Sequence, residues 1–158
     1  ILDHSRHLLN RLHDNSIDVC FSYLATNEIS YKCIPYKTDE IIFVTNSQNI
    51  QFSNGIHNGE ILHLPIIYSK FMPKSGFDWI HDIFPPHYVF QFTISVIKEI
   101  IPFLLQYPYY AFLPRKLIEK ELKDGLLIEI PLLDYHIPPL QSYIIMKSNA
   151  KYNPLDYF

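Results

Sequence analysis

Between residues 64 and 132, short apolar segments alternate with segments whose apolar residues have helical spacing. Four strands are predicted there, at 64–69, 87–92, 109–113 and 126–132, with helices between them at 77–84, 95–106 and 114–125. Pro102, inside the second of these helices, is expected to kink it. Strands that are separated by single helices are typical of βαβ units, whose crossovers are right-handed. The pattern therefore predicts an α/β fold with mostly parallel sheets and helices on both faces.

The N-terminal residues predict one more helix, which leads at once into a strand. In LLNRLHDNSIDVCFSY, Leu8, Leu9 and Leu12 form one apolar stripe, and Asn15 can adopt the left-handed conformation that ends a helix. Pro35 favours a sheet edge for one of the later strands. The predicted segments are a helix at 4–14 and strands at 17–22, 31–36, 40–46 and 142–148.

Composition and charge exclude several classes of protein. Of the 158 residues, 48% are apolar and 18% are charged, which is typical of a globular protein rather than a disordered one. The net charge is −3 and the 13 basic residues are scattered, so this segment alone is not expected to bind nucleic acid phosphates. No apolar run approaches the roughly 20 residues that span a bilayer.

Cys20 and Cys33 are interpreted as reduced thiols of a cytoplasmic protein, with a disulfide as the alternative.

Catalytic, metal and cofactor sites find no support in the residues. No GxSxG, HExxH, P-loop or GxGxxG motif occurs, and only four glycines are present, so no phosphate-cradling loop is expected. His4 and His7 lie one turn apart on the first predicted helix, but no cysteine or carboxylate completes a ligand set. We therefore expect no catalytic residue, no metal and no cofactor.

Polar side chains stand at the carboxyl ends of several predicted strands. Open α/β sheets bind ligands beyond these ends, where helices begin and backbone N–H groups are unpaired. This rule selects seven candidate residues: Ser22, Tyr23, Thr45, Ser69, Lys70, Thr93 and Ser95. The alternative is that the hydroxyls only cap helices or turns.

In their order and spacing, several segments resemble LysR-type transcriptional regulators. LLNRLHDNSIDVCFSY resembles a helix with paired leucines that enters a strand, and CIPYKTDEIIFVTN resembles the strands that lead out of the first subdomain. LHLPIIYS, IIPFLLQYPYYAFLPRKLIEKELKDGLLIEIPL and SYIIMKS resemble the second subdomain and the return strand. The resemblance implies a fragment of the effector-binding domain, truncated at its N-terminus, with the two-lobed fold of type 2 periplasmic binding proteins.

The resemblance also implies a division of the chain and a binding cleft. The first lobe would hold residues 1–45 and 146–158, residues 46–61 would form a connection, the second lobe would hold 62–141, and 142–145 would form the return crossover. A small-molecule effector, for which an anion is one option, would bind between the lobes. The cleft would be lined by the seven candidate residues and Pro114.

For the whole regulator, the resemblance implies a cytoplasmic homodimer or tetramer that does not associate with a membrane. It would contact DNA only through an N-terminal helix-turn-helix domain. The helix at 4–14 would pack against the helix at 95–106 of a second copy. The effector would favour one arrangement of the lobes, because a ligand shifts a conformational equilibrium only when it binds the two states with different affinity.

One departure from the family pattern keeps other functions open. Tyr107 and Tyr109 stand near positions where the family usually has glycines, so they would either narrow the cleft or cover an interface. The alternatives are a solute-binding protein of a transporter and an oligomerisation module that no longer senses an effector. An enzyme on the same scaffold would need a convergent acid–base pair in the cleft.

Overall fold

The chain forms two compact units, each with its own sheet. The computed structural model describes residues 5–69, 79–94 and 96–149. One unit consists of Ile1–Thr38 and Leu140–Phe158, and the other of Asp39–Pro139. None of the helices in the described ranges is long and apolar enough to cross a membrane.

Helices and strands alternate along the second unit, which also contains short 3-10 turns, whereas the first two strands of the first unit follow each other without a helix between them. In chain order the regular elements are α1 (Ser5–His13), β1 (Val19–Ser22), β2 (Tyr31–Asp39), β3 (Ile41–Asn46), α2 (Asn58–Ile61), β4 (Ile66–Ser69), α3 (Ile80–Ile83), β5 (Phe92–Ile94), α4 (Ile100–Gln106), β6 (Tyr110–Pro114), α5 (Glu119–Lys123), β7 (Leu127–Glu129) and β8 (Leu140–Lys147). The 3-10 turns lie at Ile50–Phe52, Ile97–Glu99 and Arg115–Ile118.

The first unit packs α1 on a three-stranded sheet of order β1-β8-β2. The stripe predicted from the sequence is buried here, since Leu8 and Leu12 form a cluster with Cys20 of β1 and Ile145 of β8. Asn15 ends the helix region with φ of 65°, as predicted. Pro35 predicted an edge position for its strand, and β2 lies at an edge of this sheet.

The two cysteines of this unit are free thiols. Cys20 lies on β1 and Cys33 on β2, and β8 runs between these strands. Two strand spacings amount to about 9.6 Å, whereas a disulfide needs Cα atoms within about 7 Å of each other. The thiol interpretation therefore agrees with the sheet order.

The second unit is built around two buried central strands. Its five-stranded sheet has the order β5-β4-β6-β3-β7. β6 is buried along its whole length, and β3 is buried from Ile41 to Thr45, which explains why both read as nearly continuous apolar runs. α4 packs near β3 and β6, while α5 packs near β7.

The expectation of mostly parallel sheets holds only in part, because both sheets contain antiparallel pairs. β3 runs antiparallel to β6 and β7, and β1 runs antiparallel to β8, whereas β4 is parallel to β5 and β6. The prediction assumed that consecutive strands pair. β3 does not pair with β4, the next strand in sequence, but with two strands that come later and bury it on both sides.

The boundary between the units differs from the predicted lobe boundaries. Residues 41–45 were expected in the first lobe, but they belong to β3, a central strand of the second unit's sheet. The polar stretch 46–61, expected to be a connection, lies inside the second unit and contains α2. β8 begins in the first unit at Leu140, two residues before the predicted crossover at 142–145.

Two local predictions also change. The strand expected at 87–92 is found at Phe92–Ile94, because Tyr88 and Phe90 pack their rings against each other and against Phe84 instead of pairing with β4. Pro102 was expected in the interior of a helix but lies in the first turn of α4, where a backbone N–H has no partner within the helix.

Candidate functional site

Four strands of the second unit, β4 to β7, run in one direction, because β6 and β7 are both antiparallel to β3. The edge of the sheet at which they end is here called the carboxyl edge. Ser69, the last residue of β4, lies opposite Ile94 of β5. Ile67 of β4 lies opposite Ala111 of β6, so β6 reaches the same edge at Pro114. The sequence-predicted residues Ser69, Thr93 and Pro114 are therefore brought to one edge by the parallel part of the sheet.

The register divides these three residues between the faces of the sheet. Thr93 lies opposite Tyr68, so paired side chains place Ser69, the next residue, on the other face. The same alternation puts Pro114 on the face of Thr93, two strands away, which is roughly 10 Å. Ser69 is buried and Thr93 is exposed, so Thr93 is the hydroxyl that a ligand from solution meets.

Thr45 lies at the opposite edge, here called the amino edge, because β3 is antiparallel to β6. It is paired with Tyr110, four residues before Pro114, and so about 13 Å from the carboxyl edge. Its hydroxyl is buried, donates to the Tyr109 carbonyl at 2.8 Å and accepts from Asn49 Nδ2 at 3.3 Å. Asn49 also donates to the Tyr110 hydroxyl at 2.8 Å, so this edge is an internal network.

The remaining predicted residues lie elsewhere. Ser22 is buried at the end of β1 in the first unit, where its hydroxyl donates to the Leu24 carbonyl at 3.0 Å and accepts from the Leu24 N–H at 2.9 Å. These are the bonds of a tight turn, which favours the capping alternative for Ser22. Tyr23 follows in that turn and is partly exposed. Lys70 and Ser95 fall outside the described residues.

An ion cluster at the carboxyl edge was not predicted from the sequence. Arg115 directly follows β6 and donates at 2.5 Å both to Oε2 of Glu40 and to Oε2 of Glu129. These two carboxylates raise the pKa of Arg115 through the hydrogen bonds they accept. Lys116 pairs with Asp39 at 3.2 Å beside them. The edge thus presents a guanidinium whose position is set by two glutamates.

The pairing of these charges depends on strand direction. Residues 39–40 are acidic and 115–116 are basic, but more than 70 positions separate them in the chain. They meet because the antiparallel register places Ile41 opposite Pro114, and Arg115 N–H donates to the Glu40 carbonyl at 2.8 Å. The only signal in the sequence was the complementary charge beside two strand ends, which becomes informative once the register is known.

Tyr107 and Tyr109 lie at the amino edge rather than at the carboxyl edge. They come just before β6, and the ring of Tyr109 meets Phe92 edge to face, with centroids 4.9 Å apart. Tyr107 is 50% exposed, and its ring centroid lies 6.0 Å from that of Tyr109. Within the second unit, the two rings therefore form part of an aromatic surface and do not cover Thr93 or Pro114.

The carboxyl edge suits binding of a polar small molecule. The exposed hydroxyl of Thr93 lies at the end of β5, and ligands of open α/β sheets are usually held beyond such strand ends. The guanidinium of Arg115 lies at the same edge but on the other face, because its partner Glu129 pairs with Val44, which in turn pairs with Ala111. Among the described residues, no group of three or more histidines, cysteines or carboxylates has the arrangement of a metal site.

Comparison with solved structures shows what the fold is similar to. OxyR from Corynebacterium glutamicum matches 94% of this chain with a TM-score of 0.70 and 19% identity, over 48% of its own length. A probable transcriptional regulator from Pseudomonas aeruginosa matches 90% of the chain with a TM-score of 0.72 and 12% identity, again over 48% of its length. The regulatory domain of OxyR2 from Vibrio vulnificus matches 94%, with a TM-score of 0.72 and 14% identity, over 71% of that domain.

These likenesses establish the fold and its extent. The chain spans about half the length of the regulators it matches. No protein-family model and no curated protein sequence matches it. The fold is similar to that of these regulators, in agreement with the sequence resemblance.

Proposed function

We propose that the chain is part of the effector-binding and dimerising domain of a cytoplasmic LysR-type transcriptional regulator. One observation carries this proposal: within a fold like that of LysR-type regulatory domains, parallel strands end at one edge of the sheet, where Thr93 offers an exposed hydroxyl on one face and Arg115 a guanidinium on the other. Contact with DNA would be made by a helix-turn-helix domain elsewhere in the full protein, since the basic residues here are few and scattered.

The effector binds at the carboxyl edge of the second unit in this proposal. Thr93 supplies a hydroxyl that donates and accepts hydrogen bonds, and Arg115 supplies a charged donor next to Pro114. A carboxylate-bearing effector fits this edge by replacing one of the two glutamates at the guanidinium.

Thermal denaturation with a fixed panel of acetate, succinate and inorganic phosphate tests the binding step. A ligand at about 100 times its dissociation constant stabilises the folded state by about 2.7 kcal/mol, which raises the melting temperature. Thr93→Val and Arg115→Met are expected to reduce this rise. Lys123→Met is the matched control, because Lys123 pairs with Glu119 on α5 and lies outside the proposed site. An equal rise in all four proteins would contradict the proposed site.

Dimerisation is supported by apolar surface on α4. Phe103 is 44% exposed and Leu105 is 36% exposed, although both lie on a helix whose other face is buried. In the proposed dimer this surface packs against α1 of a second copy. Sedimentation should give a dimer for the parent chain and a folded monomer for Leu105→Asp. Leu126→Asp, which changes an exposed leucine before β7, is the control and should remain a dimer.

The two rival functions predict different results in the same experiments. A solute-binding protein would bind a panel ligand but remain monomeric. A non-sensing oligomerisation module would form the dimer but show no ligand-dependent rise in melting temperature. The position of Tyr107 and Tyr109 at the amino edge supports the sensing function over the second rival.

A further inference from the structure

A cluster that the proposed function does not use brings a tyrosine, a carboxylate and a tryptophan together in the second unit. Tyr135 lies in the segment between β7 and β8, and its hydroxyl donates a hydrogen bond of 2.6 Å to Oδ2 of Asp82 on α3. The ring of Tyr135 stacks on Trp79, with centroids 6.5 Å apart and planes at 28°. We infer that Tyr135 is a site of one-electron oxidation, with Asp82 as the acceptor of its proton.

The hydrogen bond determines how an electron can leave Tyr135. Its length is in the range expected when a hydroxyl donates to an ionised carboxylate. The same contact raises the pKa of Tyr135 to about 12. Loss of the proton would break the hydrogen bond to Asp82 and would place a phenolate beside its carboxylate. At neutral pH the phenol is therefore protonated, and its electron leaves together with its proton.

The step balances with a one-electron oxidant from solution. The oxidant takes one electron from the phenol, the O–H bond of Tyr135 breaks, and the proton forms an O–H bond with Oδ2 of Asp82. The products are a neutral phenoxyl radical, a neutral carboxylic acid and the oxidant reduced by one electron. No water molecule needs to carry the proton, since donor and acceptor are already within the distance required for proton transfer.

Trp79 holds the tyrosine ring in place for this step. The indole is buried, at 5% exposure, and meets Phe112 of β6 edge to face with centroids 5.1 Å apart. Tyr135 stacks on this buried indole, and its own ring is partly exposed. An oxidant in solution can therefore reach Tyr135, and the stacking keeps the hydroxyl directed to Asp82.

Tyr107 provides a matched comparison within the same unit. It is 50% exposed, and among the described residues its hydroxyl has no hydrogen-bond partner. If exposure alone decided the site of oxidation, Tyr107 would be oxidised more readily than the partly exposed Tyr135. If a bonded proton acceptor decides it, Tyr135 is oxidised more readily than Tyr107.

Photo-oxidation of the 158-residue protein tests the inference. A ruthenium tris-bipyridyl sensitiser with persulfate supplies the one-electron oxidant, a spin trap captures the radicals, and peptide mass spectrometry locates the adducts. Tyr135 should carry more adduct than Tyr107, and its labelling should slow in D₂O. Asp82→Asn keeps an oxygen that accepts the hydrogen bond but removes the base, so it should lower labelling at Tyr135 several-fold and leave Tyr107 unchanged.

Two results would overturn the inference. One is labelling of Tyr107 at least as strong as that of Tyr135 in the parent protein. The other is unchanged labelling of Tyr135 in Asp82→Asn, with circular dichroism confirming that the variant is folded. Asp82 is exposed, so the substitution is expected to leave the fold intact. Neither result would affect the proposed effector site, because neither residue contributes to it.

Discussion

Each edge of the five-stranded sheet has a threonine, but the two threonines differ in burial and in hydrogen bonding. At the amino edge, Thr45 is buried and its hydroxyl is bonded to Tyr109 and Asn49. At the carboxyl edge, Thr93 is exposed on β5, and the Arg115 guanidinium is held by Glu40 and Glu129 on the other face of the sheet. Both threonines follow apolar strand residues, and what separates their roles is the direction of the strand. A hydroxyl at a strand end is therefore a candidate for ligand binding only when its strand ends at the carboxyl edge.

The largest effect is expected when the buried hydroxyl is removed. Thr45→Val keeps the β-branched shape but leaves the Tyr109 carbonyl without its donor, which costs about 1–3 kcal/mol of unfolding free energy. Thr93→Val, the same change at the exposed edge, should alter it by less than about 0.5 kcal/mol. Urea denaturation of both variants measures the difference. Equal losses at the two edges would mean that the comparison between them is wrong.

An intermediate effect is expected at the ion cluster. Arg115→Met leaves Glu40 and Glu129 facing each other without a cation and should cost about 1 kcal/mol, since all three groups are more than a third exposed and screened by water. The loss should shrink at roughly 1 M salt, where the Debye length falls to about 3 Å.

The control for this variant is an ordinary surface ion pair. Lys123→Met removes the pair between Lys123 and Glu119 on α5, for which about 0.3–0.5 kcal/mol is expected. If Arg115→Met and Lys123→Met lost the same unfolding free energy with the same salt dependence, the cluster at the carboxyl edge would be equivalent to an ordinary surface ion pair.

The smallest effect is expected at an exposed pair away from both edges. His57 Nδ1 lies 2.9 Å from Oδ1 of Asp134, whose other oxygen accepts the Asn58 N–H at the start of α2. The hydrogen bond to Asp134 raises the pKa of His57 above its ordinary 6.5. The Asn58 N–H and the His57 ring lower the pKa of Asp134 below its ordinary 3.8.

The signs of these shifts define a pH window. The contribution of His57 is complete below pH 6.5 and is lost as the pH rises through its raised folded-state pKa, while that of Asp134 is complete above pH 3.8 and is lost as the pH falls through its lowered pKa. Denaturation midpoints should therefore fall slightly from pH 6 to pH 8 in the parent protein. Asp134→Asn should flatten this slope, and an unchanged slope would show that the pair does not couple to folding.

The parts of the fold that were predictable depend on local pattern. The leucine stripe of α1, the left-handed Asn15 and the apolar strands β3 and β6 were all identified because burial and backbone conformation leave a signal within a few residues. Strand direction leaves no such signal. β3 was placed in the wrong unit because its partners, β6 and β7, come more than 60 residues later.

The candidate site was only partly predictable for the same reason. The structure brings Thr93 and Pro114 to one face of the carboxyl edge. Pro114 was implied by the family resemblance, whereas Thr93 was selected by the rule that ligands bind beyond strand ends. The same rule also selected Thr45, which the antiparallel register sends to the amino edge. Arg115 was overlooked because its partner Glu40 is adjacent only after β3 and β6 pair.

NMR mapping of a bound panel ligand tests the central claim most directly. Acetate, succinate and inorganic phosphate would be titrated into the labelled protein, and the backbone amide shifts followed at both edges of the second unit's sheet. We expect the largest shifts at Thr93 and at Arg115, with Thr45 and Asn49 unmoved. Shifts concentrated at Thr45 and Asn49, or no shift with any of the three ligands, would contradict the assignment of the carboxyl edge as the effector site.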